Sequence, residues 1–173
     1  MASCSQTSRR MVRWLPLTIA TACGFGDPGW LYVVPGATPV QDSGRRFDTT
    51  DPDGLKLRVY ADAFTGYLGA EVDVLSTKRP LSDSAHLVLS VTDRAGRPLP
   101  PERAVPPISH CRTGGRAGSG FPADAVVCSA RATFTIDPMV GCSRNADLED
   151  VKIVVTGLGE GFPPEVRVPI VAL

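Results

Sequence analysis

The chain has 173 residues, 43% of them hydrophobic, and carries 18 basic against 18 acidic side chains. That is enough apolar material for one globular domain with its own core, and the balanced charge gives no overall bias toward a nucleic-acid partner. With 17 glycines and 16 prolines punctuating the chain, long helices are excluded, and no apolar run reaches the roughly 18–20 residues of a membrane-spanning helix. In chain order, residues 1–22 come first. They hold Arg9, Arg10 and Arg13, no acidic residue, and an apolar run from Trp14 to Ala22. A positive segment, a short apolar segment and small residues ahead of a cleavage point make a secretory signal.

That run ends in Ala20-Thr21-Ala22-Cys23. The four residues resemble the lipobox of bacterial lipoproteins, with Ala20 in the place of the usual leucine. The resemblance covers about the first 24 residues. It implies cleavage before Cys23, a thioether-linked lipid on its sulfur, and a protein held at a membrane by acyl chains, each buried methylene contributing about 0.8 kcal/mol. Gly24 carries no negative charge. In a Gram-negative host the resemblance therefore implies the outer membrane. Loss of residues 1–22 removes three arginines and no acids, so the remainder is mildly acidic. Charge would not hold it on an anionic bilayer, and the lipid would have to.

Residues 23–46 read as the attachment site and a tether, because "GFGDPG" and "PGATPVQDSGRR" are rich in Gly, Pro and small polar residues. Within it "WLYVV" is apolar enough for a strand at a sheet edge. From Phe47 to the end, at 47–173, short stretches alternate apolar and polar residues. They are "LKLRVY" (55–60), "EVDVL" (71–75), "HLVLSV" (86–91), "AVVCSARATFTI" (125–136), "VKIVVT" (151–156) and "EVRVPIVAL" (165–173). A period of two marks half-buried strands. "ADAFTGYLGAEV" (61–72) reads as a connection with at most one helical turn. Pro169 places the last strand at an edge or bulge. About seven strands and no long helix predict an all-β domain, an antiparallel β-sandwich, with a barrel as the alternative.

"LSVTDRAGRPLPP" (89–101) resembles the strand, "TDxxGxP" turn and strand of bacterial immunoglobulin-like domains, with Asp93 capping the turn and Gly96 free to take positive φ. The resemblance implies an immunoglobulin-like sandwich and carries no catalytic residue. The stretch from Arg103 to Asp124 departs from that pattern as a long Gly- and Pro-rich loop, the candidate contact surface.

Beyond the leader there are four cysteines: Cys23, Cys111, Cys128 and Cys142. With Cys23 lipidated, three remain in an oxidising compartment, which predicts one disulfide and one free thiol. Cys128 falls on an inward strand face, where a thiol packs as a small hydrophobe. Cys111 and Cys142 both fall in loop sequence, so Cys111–Cys142 is the expected pair and Cys111–Cys128 the second choice. His110 with the three cysteines lacks the close C-x2-C pair of a structural zinc site. His110 and Cys111 are neighbours on a strand and point to opposite faces, so they do not form a base and nucleophile. Asp48, Asp51 and Asp53 brush against a calcium loop but lack its closing bidentate acid, and a plain turn explains "DPDG". No metal and no cofactor are expected. No nucleophile, phosphate-binding or paired-carboxylate motif is recognisable. The expected function is therefore non-catalytic: a lipid-anchored envelope protein acting through an envelope protein partner or in envelope structure. The alternative is a small-ligand or carbohydrate-binding module using Trp30, Tyr60, Phe64 and Tyr67.

Overall fold

The computed structural model describes residues 30–41, 45–64, 66–114, 120–136 and 146–173. Among them the regular elements are β-strands and one 3-10 turn, Ala146–Leu148. The strands are β1 (Trp30–Val33), β2 (Thr38–Pro39), β3 (Phe47–Thr50), β4 (Leu55–Phe64), β5 (Tyr67–Ser76), β6 (Val88–Thr92), β7 (Ile108–Thr113), β8 (Val126–Thr135), β9 (Asp150–Thr156) and β10 (Glu165–Ala172). Every pairing is antiparallel, in the order β6-β9-β10-β1-β4-β5-β8-β7, with β3 on β4 and β2 on β3.

The all-β class follows the alternation in the sequence, with ten strands among the described residues where about seven were expected. They make one continuous sheet that curls nearly into a barrel. Two features cause this. β1 pairs with β10 through Tyr32 and Val33 and with β4 through Trp30 and Leu31, so it joins both halves. The residues after β6 then stitch its free side to β8. Leu99 N donates to Val91 O, and Thr135 N donates to Pro100 O, both at 2.8 Å. Closure of this kind satisfies backbone groups that an open edge would leave to solvent.

β1 is the strand expected of "WLYVV", but it lies between β4 and β10, not at the sheet's edge, and Tyr32 and Val34 are buried. The reason is the apolar "WLYVV": its inward Tyr32 fills the core and donates its hydroxyl to Leu148 O at 2.8 Å, satisfying the one polar atom it buries. The 61–72 stretch differs likewise. β4 runs on to Phe64 and turns directly into β5, pairing Phe64 with Tyr67. Ala61, Ala63, Leu68 and Ala70 are all inward and buried, so the alternation continues through small residues. Pro169 is accommodated because β1 reaches only Val171 and Ala172 of β10, leaving Pro169 opposite Lys152 of β9 alone.

The inward faces form one core, including Leu55, Leu57, Val59, Val72, Val74, Ile153 and Ile170. Each such side chain contributes about 1.5–3 kcal/mol on burial. Gly157, after β9, has φ of +81°, and a Cβ there would stand 2.0 Å from His86 O, so the lead-in to β6 packs on bare backbone.

β7 also emerges from the stretch expected to be a loop. Its inward positions are Ser109, Cys111 and Thr113, and its outward ones Ile108, His110 and Arg112, so it lacks the apolar alternation that marks its neighbours. Its register places Cys111 directly opposite Cys128 of β8, with a Cα–Cα distance of 4.0 Å, and the two form a disulfide. This overturns Cys111–Cys142 as the expected pair. Cross-strand adjacency decides the partner, and Cys111 is not in a loop. Cys128 is fully buried as expected, but bonded and not a free thiol. Cys23 and Cys142 lie outside the described residues.

Candidate functional site

Strand alternation sends one residue in two to the outer face of the sheet. Across β3, β4, β5, β8 and β7 the register then aligns a single polar row: Asp48, Arg58, Asp73, Ser129 and His110. Arg58 grips Asp48 with both ends of its guanidinium, Nε to Oδ1 at 2.8 Å and Nη2 to Oδ2 at 3.1 Å. Its side chain is nearly buried because Phe121 lies over it, 4.5 Å from ring centre to guanidinium carbon. Phe121 packs with Leu75 and Val127 in a small apolar cluster on the outside of the sheet. Residues 120–125 are loop, as expected, and Phe121 anchors them to the sheet.

In the same row Ser129 Oγ donates to Asp73 Oδ1 at 2.6 Å, both residues being buried. The neighbouring row, Tyr60, Glu71, Arg131 and Ile108, is more open, and there Arg46 Nη2 pairs with Glu71 Oε1 at 2.9 Å. Beside these groups Glu71, Ile108, His110, Ser129, Ala130 and Arg131 enclose a groove of about 230 Å³. It offers an acid, a guanidinium and an imidazole around an apolar wall. Ile108 is 57% exposed. Asp73, Ser129 and His110 are adjacent in one row, yet the Ser129 proton goes to Asp73, and among the described residues His110 makes no hydrogen bond to Ser129. The row is therefore not arranged as base and nucleophile. It can recognise a polar or charged segment lying along β7.

The remaining candidates from the sequence separate. Asp48 belongs to Arg58 and Lys56, while Asp51 accepts from the Asp53 N–H at 2.7 Å, so the acids of 48–53 do not converge on a cation. His110 is exposed and Cys111 is in the disulfide, on opposite faces as expected. Tyr60 donates its hydroxyl to Asp62 Oδ2 at 2.8 Å on the outer face. Phe64 and Tyr67 stand opposite each other at the tip of the β4–β5 hairpin, and Trp30 pairs with Ala63 at the same end. The charged rows themselves were not foreseen. The outward polar residues of each strand read alone as a solvated face, and the pattern exists only once five strands are in register.

At the β6 turn, Asp93 Oδ1 accepts the Arg97 N–H at 2.8 Å and Oδ2 accepts Arg97 Nε at 2.7 Å, while Arg97 also reaches Asp147. Gly96 takes φ of +82° to complete the turn. Burial disfavours the Asp93 carboxylate, but the backbone N–H and guanidinium of Arg97 outweigh it and hold its pKa below 3.8. Asp48 is lowered in the same way, burial being outweighed by Arg58 and Lys56. A folded pKa below the unfolded one gives stability that is complete above about pH 4–5 and is lost as pH falls through the folded value. Urea midpoints should thus be level from neutral to about pH 5 and fall below it. Asp93→Asn should make that acid-side fall shallower; an unchanged slope would remove Asp93 from the account.

The geometry defines an antiparallel all-β domain, closed nearly to a barrel, with a polar row across its outer face, a disulfide joining β7 to β8 and aromatic residues at the tip of the β4–β5 hairpin. Compared with known proteins, the chain matches no family model, no curated protein and no solved structure.

Proposed function

We propose that the chain is an exported, lipid-anchored protein of the cell envelope, and that its all-β domain is a non-catalytic interaction module. The observation that carries this reading is the buried Cys111–Cys128 bridge. Such a bridge belongs to oxidising compartments, and it follows a leader whose last residues, Ala20-Thr21-Ala22-Cys23, carry the lipobox resemblance. In a Gram-negative host the anchor would be in the outer membrane. The protein partner would be met on the β7–β8 groove, where Ile108 supplies an exposed apolar anchor beside Glu71, His110 and Arg131. A relationship to bacterial immunoglobulin-like domains is proposed on the β6 turn alone, supported by the Asp93 cap and Gly96.

Intact mass of the protein extracted from the membrane fraction tests the anchor. Residues 23–173 plus acyl groups are expected, with the acyl mass and the membrane fractionation both lost in Cys23→Ser. A soluble, unacylated wild type would remove the anchor. A photo-crosslinking residue at Ile108, introduced in living cells, should give one discrete adduct. The same residue at Val88, an exposed position on β6, should give none. Equal labelling at both positions would remove the groove as the contact surface.

A further inference from the structure

Half of the exposed large hydrophobic side chains among the described residues gather at one end of the closed sheet. Phe64 is 48% exposed and Tyr67 46%, facing each other at the tip of the β4–β5 hairpin. Leu173 is 62% exposed and lies beside Leu31, whose carbonyl accepts its N–H at 2.9 Å. Leu31 is half-buried and opposite Asp62 of β4. These residues lie on or just beyond β10, β1, β4 and β5, which are consecutive in the sheet, so the side chains form an apolar collar on its outer surface. Trp30 sits at the mouth of the core inside this collar, half-buried and level with Ala63, Leu68 and Phe134. The one acid in the row, Asp62, reaches back along β4 to the Tyr60 hydroxyl and over the bare Cα of Gly69, away from the hairpin tip.

We infer that this collar rests on the surface of the bilayer, seating the domain on its aromatic end. The inference rests on the lipid-anchor reading. Cys23 lies seven residues before Trp30, a span of at most about 25 Å even when fully extended, and Trp30 is inside the collar. An acylated Cys23 therefore keeps this end of the domain within about 25 Å of the membrane. The collar has the chemistry of that boundary. Tyr and Trp pair an apolar ring with a polar atom and favour the interfacial layer, while Phe and Leu enter the acyl edge. The mildly acidic domain gains nothing from anionic lipid, so the contact is apolar and aromatic and should persist on neutral phosphatidylcholine. A short tether with a seating collar fixes the orientation of the domain, and the β7–β8 groove then faces sideways along the membrane.

Trp30 reports the contact directly. The chain has two tryptophans, and Trp14 leaves with the leader, so Trp30 is the only fluorophore of its kind in the anchored protein. The full chain, processed in cells, is purified from membranes and placed in phosphatidylcholine vesicles with or without bromine on acyl carbons near the headgroup. Roughly a twofold loss of Trp30 emission on brominated lipid is expected, as for an interfacial tryptophan. Phe64→Asp with Tyr67→Asp changes only exposed side chains, and should abolish the loss while leaving the acylated mass and vesicle attachment intact. Unquenched Trp30 in a protein whose mass shows the acyl groups would overturn the inference, as would equal quenching in the double variant. Glycan-array binding that disappears in the double variant, with Trp30 unquenched on vesicles, would assign the collar to carbohydrate and overturn it too. Were the mass to show no acyl groups, the anchor reading would fail by itself. Quenching of the unacylated chain by excess vesicles would still support the collar's seat, and its absence would overturn it.

Discussion

Joint replacement of Cys111 and Cys128 by alanine should cost the domain about 3–4 kcal/mol. The bridge closes 17 residues between β7 and β8. In the chain-entropy account a loop of that length is worth about 3 kcal/mol through the unfolded state, and the emptied space around the fully buried Cys128 adds to it. The loss is local in origin. β7 is the last strand on its side of the sheet path, and its three inward residues, Ser109, Cys111 and Thr113, supply little apolar burial. Without the bridge β7 is held by its ladder to β8 and by a hydrogen bond from the Leu87 N–H to Ser109 Oγ at 2.8 Å. Urea unfolding of wild type with and without reductant, beside the double alanine variant, measures the effect. Reduced wild type and variant should unfold at similar, lower midpoints. A wild-type midpoint indifferent to reductant would mean that the two sulfurs are not joined in the native protein.

Arg58→Met should cost about 2–3 kcal/mol. The guanidinium is almost wholly buried, bidentate on Asp48 and stacked under Phe121. Breaking a fully buried pair from one side costs about 3–5 kcal/mol, because the other charge is left behind. Here Asp48 keeps some access to water, with 22% of its side chain exposed, and Lys56 remains 3.5 Å away, so the lower end applies. Methionine retains most of the apolar stem against Phe121, which makes the lost charge the main effect. Adding Asp48→Leu to Arg58→Met should recover part of the loss, since an apolar pair leaves no unmatched charge. A thermal or urea midpoint changed by less than about 0.5 kcal/mol in Arg58→Met would place the pair among ordinary surface salt bridges.

How much of this could be read from the chain depends on where each signal is written. Strands with large aliphatics on one face announced themselves, as Leu55, Leu57 and Val59 do, because burial and alternation are then the same pattern. The second half of the β4–β5 hairpin did not, since Ala61, Ala63 and Ala70 bury little area and Gly66 and Gly69 read as breaks. β7 was hidden for a different reason. Its inward face is polar and depends on a covalent bond, and the bond depends on a register that exists only in the folded sheet. The same holds for the polar face, where Asp48, Arg58, Asp73, Ser129 and His110 are scattered over more than eighty residues of sequence. Closure was hidden because it uses Leu99, Pro100 and Glu102, a proline-rich stretch with no strand alternation. Trp30, Tyr60, Phe64 and Tyr67 were legible as aromatics, but their division into a collar and an outer-face tyrosine was not.

The pairing of β1 with β10 also sets a timetable. The earliest strand of the domain has the latest as its neighbour, Tyr32 opposite Ala172. Contacts between the two ends of a chain pay the largest loop-closure cost and form slowly. Until the final residues arrive, β1 can add only to β4, one wall of the core stands open, and β9 and β6 are joined to the rest only through the stretch that ties β6 to β8. A chain threaded through a membrane from its N-terminus would therefore remain unfinished throughout the passage and close after the last strand had crossed. In an exported chain, such an order of assembly would keep the domain pliable in transit and leave it to become rigid afterwards.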